Sequence, residues 1–190
     1  EKLLPKCSHM LLTGGLANSC LKSLGLKTGE SLATVDPETL IKVKDILREY
    51  NKKIVLPFDA IVGKKYDETF AASKDINKIE NDEIIGDIGP KTLKIYKKII
   101  DESKTIFMNG TAGIYEEPKY SNGTLELLNI ITSSMAKTIA GGGDCIGAID
   151  KFNMKDKFTY ISTGGGATLE YIINESLPAI NAIADKEEVL

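Results

Sequence analysis

Three short apolar runs of this chain stop at clusters of glycine, and each cluster leads into a stretch with helical spacing. Met10-Leu11-Leu12-Thr13 ends in Gly14-Gly15, and Thr138-Ile139-Ala140 runs straight into Gly141-Gly142-Gly143. Thr159-Tyr160-Ile161 leads through Ser162-Thr163 to Gly164-Gly165-Gly166. A short apolar run bounded by turn residues reads as a buried strand. Strands buried on both faces and joined through helices are parallel. Ligands of such sheets bind at the carboxyl ends of the strands, where glycine lets backbone approach closely. The following helix aims its free N–H groups and positive dipole end at the same place, which makes an anion site, most naturally for phosphate. One glycine-rich turn is equally well an ordinary tight turn. The recurrence at three strand ends singles these out.

The rest of the chain keeps the alternation. Asp36-Pro37 reads as an N-cap with proline at the first helical position, opening a helix with Leu40, Val43, Ile46 and Leu47 on one side. Lys53 to Pro57 is the next strand. From 58 to 89 the pattern weakens, with short strands at Ala60-Ile61-Val62 and Ile84-Ile85 and the polar stretch 74–82 expected as an exposed excursion. Pro90 opens a helix carrying Leu93, Tyr96 and Ile100, Thr105 to Met108 is a strand ended by Asn109-Gly110, and Asn122 precedes a helix with Leu125, Leu128 and Ile131. The predicted fold is α/β: a Rossmann-like parallel sheet of about six strands with helices on both faces, a three-layer α/β/α arrangement. At 190 residues the chain suits one domain with a real core. The domain is placed at 1–174, with a tail at 175–190 that packs over the body or lies loose.

Composition removes several classes of function. The 24 lysines and arginines against 27 acids leave a net charge of −3, with none of the basic excess that nucleic acid requires. Cys7, Cys20 and Cys145 are an odd, scattered set, which suits reduced thiols rather than a disulfide framework. No apolar run approaches the roughly 20 residues of a membrane span, and no signal-peptide pattern is visible. A cytoplasmic monomer is expected. The chain starts at Glu1 rather than Met and enters a folded pattern at once, so it reads as part of a longer protein.

Two standard nucleotide motifs fit poorly. Gly141 to Gly147 has the glycines of a dinucleotide turn, but the next strand ends in Ser162-Thr163, where an acid about 20 residues on should hold the ribose. Gly142 to Gly147 has P-loop spacing, but Ala148-Ile149 stands in place of Lys-Ser/Thr. Asp144, at a predicted helix start, reads either as an N-cap or as a carboxylate for Mg²⁺ shared with phosphates. Glu116, on a loop off a strand end, reads either as a solvated acid or as an acceptor for ribose hydroxyls. Cys145, at a helix N-terminus, reads as a thiol of lowered pKa or as a small side chain beside a phosphate loop. His9 is the only histidine and has no evident partner, so neither a Ser-His-Asp set nor a Cys/His metal cluster can be built.

Read together, these segments resemble phosphoglycerate kinase. Gly141-Gly142-Gly143-Asp144 and the run from Ser162 to Glu170 resemble the family's "GGGDT" and "STGGGASLE". Asp87 to Thr92 resembles "DIGPKT", Asn109 to Glu116 "NGPxGVFE", Leu12 to Asn18 "GGGMAN", Leu56-Pro57 with Asp59 "LPVD", and Leu177-Pro178-Ala179 "LPG", all in family order. The resemblance implies the C-terminal, nucleotide-binding domain of a two-domain glycolytic kinase that moves a phosphoryl group between 1,3-bisphosphoglycerate and ADP with Mg²⁺. By similarity, Gly14, Gly15, Gly113 and Ile114 line an adenine slot, Asn109 lies near the phosphates and Glu116 holds the ribose. Gly142, Gly143, Asp144 and Cys145 form the phosphate loop, with Asp144 serving Mg²⁺, and Gly143 and Gly166 offer backbone N–H groups to the phosphoryl group in transfer. Thr13, Thr111 and Cys145 depart from the pattern, replacing a glycine, a proline and a threonine. The family's "GGAKVSDKI" segment and its N-terminal domain, which holds 3-phosphoglycerate or 1,3-bisphosphoglycerate, would precede Glu1. The chain alone is therefore expected to bind ADP or ATP without catalysing transfer. The alternatives are a non-catalytic nucleotide-binding module and, resting only on the spacing at Gly141, a nicotinamide-dependent oxidoreductase.

Overall fold

The apolar runs that end in glycine form parallel strands, but in two separate sheets. The structure, a computed structural model, describes residues 1–64 and 67–187. In one sheet β1 (Met10–Leu11) pairs with β2 (Ile54–Val55). In the other, β6 (Thr105–Asn109), β7 (Lys137–Gly141) and β8 (Tyr160–Ser162) lie in that order. Seven α-helices accompany them among the described residues: α1 (Gly14–Ser23), α2 (Pro37–Glu49), α3 (Pro90–Asp101), α4 (Asn122–Thr132), α5 (Gly143–Lys151), α6 (Gly166–Asn174) and α7 (Pro178–Glu187). The α/β class is borne out, while the single sheet of about six parallel strands is not. The tail placed from 175 contains α7, on which Ile180 and Ile183 are more than half exposed.

Residues 59–88 depart furthest from expectation. They form an antiparallel unit, β3 (Asp59–Lys64) between β4 (Asp67–Asp75) and β5 (Glu83–Ile88). β4 was not foreseen because Asp67 to Asp75 offers a single large apolar residue, Phe70. The polar stretch 74–82 is only partly exposed. Ile76 and Ile79 anchor it in a small core with Leu21, Ala60 and Val62, and Lys74 Nζ meets the buried Glu83 carboxylate at 2.5 Å. The two isoleucines sit three apart among charges, so neither strand nor helix periodicity reveals them. The main core lies under β6 and β7, where Tyr96, Leu128, Ala140, Cys145, Ala148 and Ile149 are fully buried. No helix among the described residues is long and apolar enough to cross a membrane.

Two buried carboxylates tie the antiparallel unit to the helices. Asp59, 1% exposed, accepts from the Lys91 and Thr92 backbone N–H groups at 3.0 and 2.8 Å and from the Thr92 hydroxyl at 2.8 Å. It therefore caps α3, whose own N-cap, Gly89, has no side chain to do so. A Cβ at Gly89 would sit 2.3 Å from the Asp59 carboxyl carbon. Asp87, equally buried, accepts from the Gly123 and Ile88 N–H groups, the first of these at the start of α4. Burial pushes its carboxyl up to about 7, against the pull of the Gly123, Ile88 and Thr124 N–H groups. Asp36 caps α2 as the sequence predicts, accepting from the Thr39 N–H at 2.9 Å. Because Asp59→Ala would orphan buried donors, it should lower unfolding free energy by at least about 2 kcal/mol. The comparison is with Asp36→Ala, which loses an exposed cap and should cost less than Asp59→Ala. Urea unfolding of the two variants measures the ordering.

Candidate functional site

The three long parallel strands end level with one another. Asn109 is in register with Gly141, and Gly141 with Ser162, so the last residues of β6, β7 and β8 form one row. The Asn109 amide donates to the Gly141 carbonyl at 3.1 Å, and a Cβ at Gly142 would touch that amide at 2.9 Å. The row is thus locked by a side chain reserved for it. Two helices start from it. α5 follows Gly142, whose φ of 90° suits glycine, and α6 follows Gly165, whose φ is 52°. Neither helix has a side-chain cap. Their first N–H groups and positive dipole ends are left to whatever lies at the sheet edge. Thr168 of α6 reaches back to the row, with its methyl 3.6 Å from the position a Gly141 Cβ would take and its hydroxyl 2.6 Å from that of Ser162.

The glycines here differ in why they are glycine. A Cβ at Gly113 would lie 2.3 Å from the Gly86 carbonyl and 2.6 Å from Asp87 Oδ1, so the loop can lie against β5 only without one. At Gly143 and Gly166 the backbone is unstrained and a Cβ would meet nothing within 4 Å. Neither the fold nor the backbone requires glycine at these two positions. The open space beside them leaves room for a ligand to approach the backbone.

The other expected site residues fall into place around this row. Asp144 lies in the first turn of α5 rather than at its N-cap, which is Gly142, so the capping reading does not hold. Its carboxylate is exposed and makes no hydrogen bond or ion pair among the described residues. Those residues contain no group of three His, Cys, Asp or Glu side chains able to hold a metal by themselves. The donor set that Asp144 offers is one exposed carboxylate in the first turn of α5, which suits Mg²⁺ carried on phosphates. The Cys145 thiol points inward, fully buried, with Sγ 3.8 Å from the Met108 carbonyl. Burial raises its pKa to about 11, so the lowered-pKa reading is overturned and only its backbone N–H remains at the site. Glu116 is exposed on the loop after β6, next to Tyr115. The Tyr115 phenol is raised by desolvation first, then by the Glu116 and Asp144 charges and by a hydrogen bond with the Glu116 side chain. His9 is exposed at the amino end of β1, while the glycines lie at its carboxyl end.

Gly14 and Gly15 open α1 instead of ending a strand. Two of the departing residues meet here, with the Thr13 hydroxyl donating to the Thr111 carbonyl at 3.0 Å and tying α1 to the loop of Glu116. Leu32 was missed in the sequence. It is 82% exposed, yet its backbone is held by Asn18, and its side chain lies against Gly15. An apolar residue within a run of Gly, Glu, Ser and Thr was the available signal.

Comparison with known proteins identifies the family. The sequence profile of the phosphoglycerate kinase family matches residues 1–175. The phosphoglycerate kinase of Leptospira biflexa is 40% identical over 99% of this chain and 48% of its own length, and that of Dictyoglomus turgidum 39% over 98% and 48%. Among solved structures, phosphoglycerate kinase from Coxiella burnetii superimposes with a TM-score of 0.89 at 36% identity, covering 97% of this chain and 48% of that one. The Pyrococcus horikoshii enzyme gives 0.83 at 27% identity, covering 100% and 49%. The chain spans about half the length of the relatives it matches, and it belongs to the phosphoglycerate kinase family.

If Gly143 and Gly166 are kept open for a ligand, Gly143→Ala and Gly166→Ala should unfold within about 1 kcal/mol of the parent. Gly113→Ala should lose more than about 2 kcal/mol to overpacking. Thermal or urea unfolding in ligand-free buffer checks this ordering.

Proposed function

We propose that this member of the family is its C-terminal, nucleotide-binding domain, spanning 1–174 with a tail at 175–190, and that it binds MgADP and MgATP. The observation that carries this reading is the level row Asn109, Gly141 and Ser162, with two uncapped helix N-termini opening from it beside Gly143 and Gly166. Phosphates would accept from the first N–H groups of α5 and α6, including those of Gly143, Asp144, Cys145 and Gly166, with Gly142 and Asn109 shaping the approach. Asp144 would share Mg²⁺ with the phosphate oxygens. Glu116 would accept the ribose hydroxyls. Gly14, Gly15, Gly113 and Ile114 would flank the base, with Leu32 as an apolar cover.

In the whole protein the reaction is phosphoryl transfer between 1,3-bisphosphoglycerate and ADP. Such transfer depends on positioning and on stabilising charge, with little covalent work for the protein. Gly143 and Gly166 are suited to this because backbone N–H groups at two converging helix starts can follow charge as it develops on the moving group. The sugar acid would be held by the other half of the protein, so the chain by itself binds nucleotide and does not turn over.

Isothermal titration tests the reading. MgADP should bind this chain in the micromolar to millimolar range, NADH should not, and Gly143→Ala should weaken MgADP by about tenfold, because its Cβ would fill the space through which phosphate reaches the backbone N–H groups. No heat of MgADP binding at millimolar concentration would sink the assignment.

A further inference from the structure

Helix α5 carries three features on one face, at intervals of four residues. Gly143 faces the open site, Gly147 faces the Tyr115 hydroxyl, and Lys151 reaches the loop of Glu116. The Lys151 ammonium donates to the Tyr115 carbonyl at 2.7 Å and to the Glu116 carbonyl at 3.1 Å, and it lies 5.7 Å from the centre of the Tyr115 ring. At the hydroxyl end of that ring, a Cβ at Gly147 would sit 2.5 Å from the oxygen, so glycine is what lets the phenol come this close to the helix. The Glu116 backbone is thus gripped by the same helix whose first turn opens at the phosphate row. None of the residues assigned to ligand contact makes that connection.

We propose that Lys151 is a positioning residue that fixes the Glu116 loop at a set distance from the N-terminus of α5, so that a nucleoside diphosphate meets both at once. This rests on the nucleotide-binding reading above. Lys151 does not touch the ligand. It acts on the span between the sugar-binding loop and the phosphate-binding helix turn, with Tyr115 as the spacer and Gly147 as its socket. Loss of the grip should therefore weaken ligands that use both ends and spare a ligand that uses only the phosphate end.

The test compares MgADP with magnesium pyrophosphate, titrated into this chain. Lys151→Met should bind MgADP about tenfold more weakly, the loss expected from charge-assisted hydrogen bonds that order a loop. Its pyrophosphate affinity should stay within about twofold of the parent. Lys151→Arg, which can still donate to both carbonyls, should recover most of the loss. Gly147→Ala should weaken MgADP in the same selective way. Adding Tyr115→Phe should relieve it, because the nearest ring carbon then lies 3.6 Å from the new Cβ. Lys151 is exposed at the end of α5, and melting curves are expected to show Lys151→Met folded. MgADP binding unchanged in Lys151→Met would overturn the proposal while leaving the nucleotide site standing. An equal loss of both ligands would overturn it too, since the grip would then be merely structural. Failure of the parent to bind MgADP would remove the nucleotide reading and the proposal with it.

Discussion

The level ending of three parallel strands is the constraint on which the site depends. Parallel pairing fixes Asn109, Gly141 and Ser162 in one row, and a one-residue slip would turn every side chain of a strand to the opposite face. With the row level, the turns that follow β7 and β8 launch α5 and α6 from the same edge, and their uncapped N-termini open there. Sequence and geometry meet at this point. Gly142 and Gly165 are glycine because the backbone takes a left-handed turn into each helix, while Gly143 and Gly166 are glycine where nothing in the protein itself demands it. Polar satisfaction elsewhere makes that contrast sharper. No buried side-chain nitrogen or oxygen among the described residues lacks a partner, whereas the Asp144 carboxylate stands exposed and unpaired.

The row needs a rigid support, and much of it comes from the antiparallel unit that interrupts the parallel pattern. Two sequence segments that resemble motifs of the family form one joint. Asp59, from the segment resembling "LPVD", caps α3, and the Gly89, Lys91 and Thr92 of the segment resembling "DIGPKT" are the residues it needs. Asp87 begins the same segment and holds the start of α4 and the close approach of Gly113. These carboxylates are buried and fully engaged, so they serve the scaffold. The exposed acids Asp144 and Glu116 lie at the edge. Burial and partnership, rather than residue type, separate the two roles.

Much of this was legible in the sequence because strands of a covered sheet are mostly apolar, and sharp turns from strand to helix are rich in glycine. β1, β6, β7 and β8 and the helices after them follow from apolar runs that end in glycine or asparagine-glycine, and β2 from its apolar run alone. β4 was hidden because an edge strand with one large apolar side chain carries no alternating signal, and Ile76 and Ile79 were hidden by the charges around them. At the site, Asp144 and Glu116 could be named but their environment could not. Cys145 was the clearest misdirection, since a cysteine after a glycine triplet can face the ligand or the core. The thiol turned inward because the third position of α5 lies over Met108. The Lys151 grip had no local signature at all, as it joins residues about 35 positions apart through backbone carbonyls.

The central claim is that the carboxyl edge of β6, β7 and β8 is where nucleotide phosphate binds. Amide chemical-shift mapping of the ¹⁵N-labelled chain with MgADP tests it most directly. The account predicts the largest changes at Gly110, Gly143, Asp144, Cys145 and Gly166, with a second group at Glu116 and Leu32. Changes centred instead on the apolar surface groove of Leu24, Leu47, Ile54 and Leu56, with the row unmoved, would contradict it.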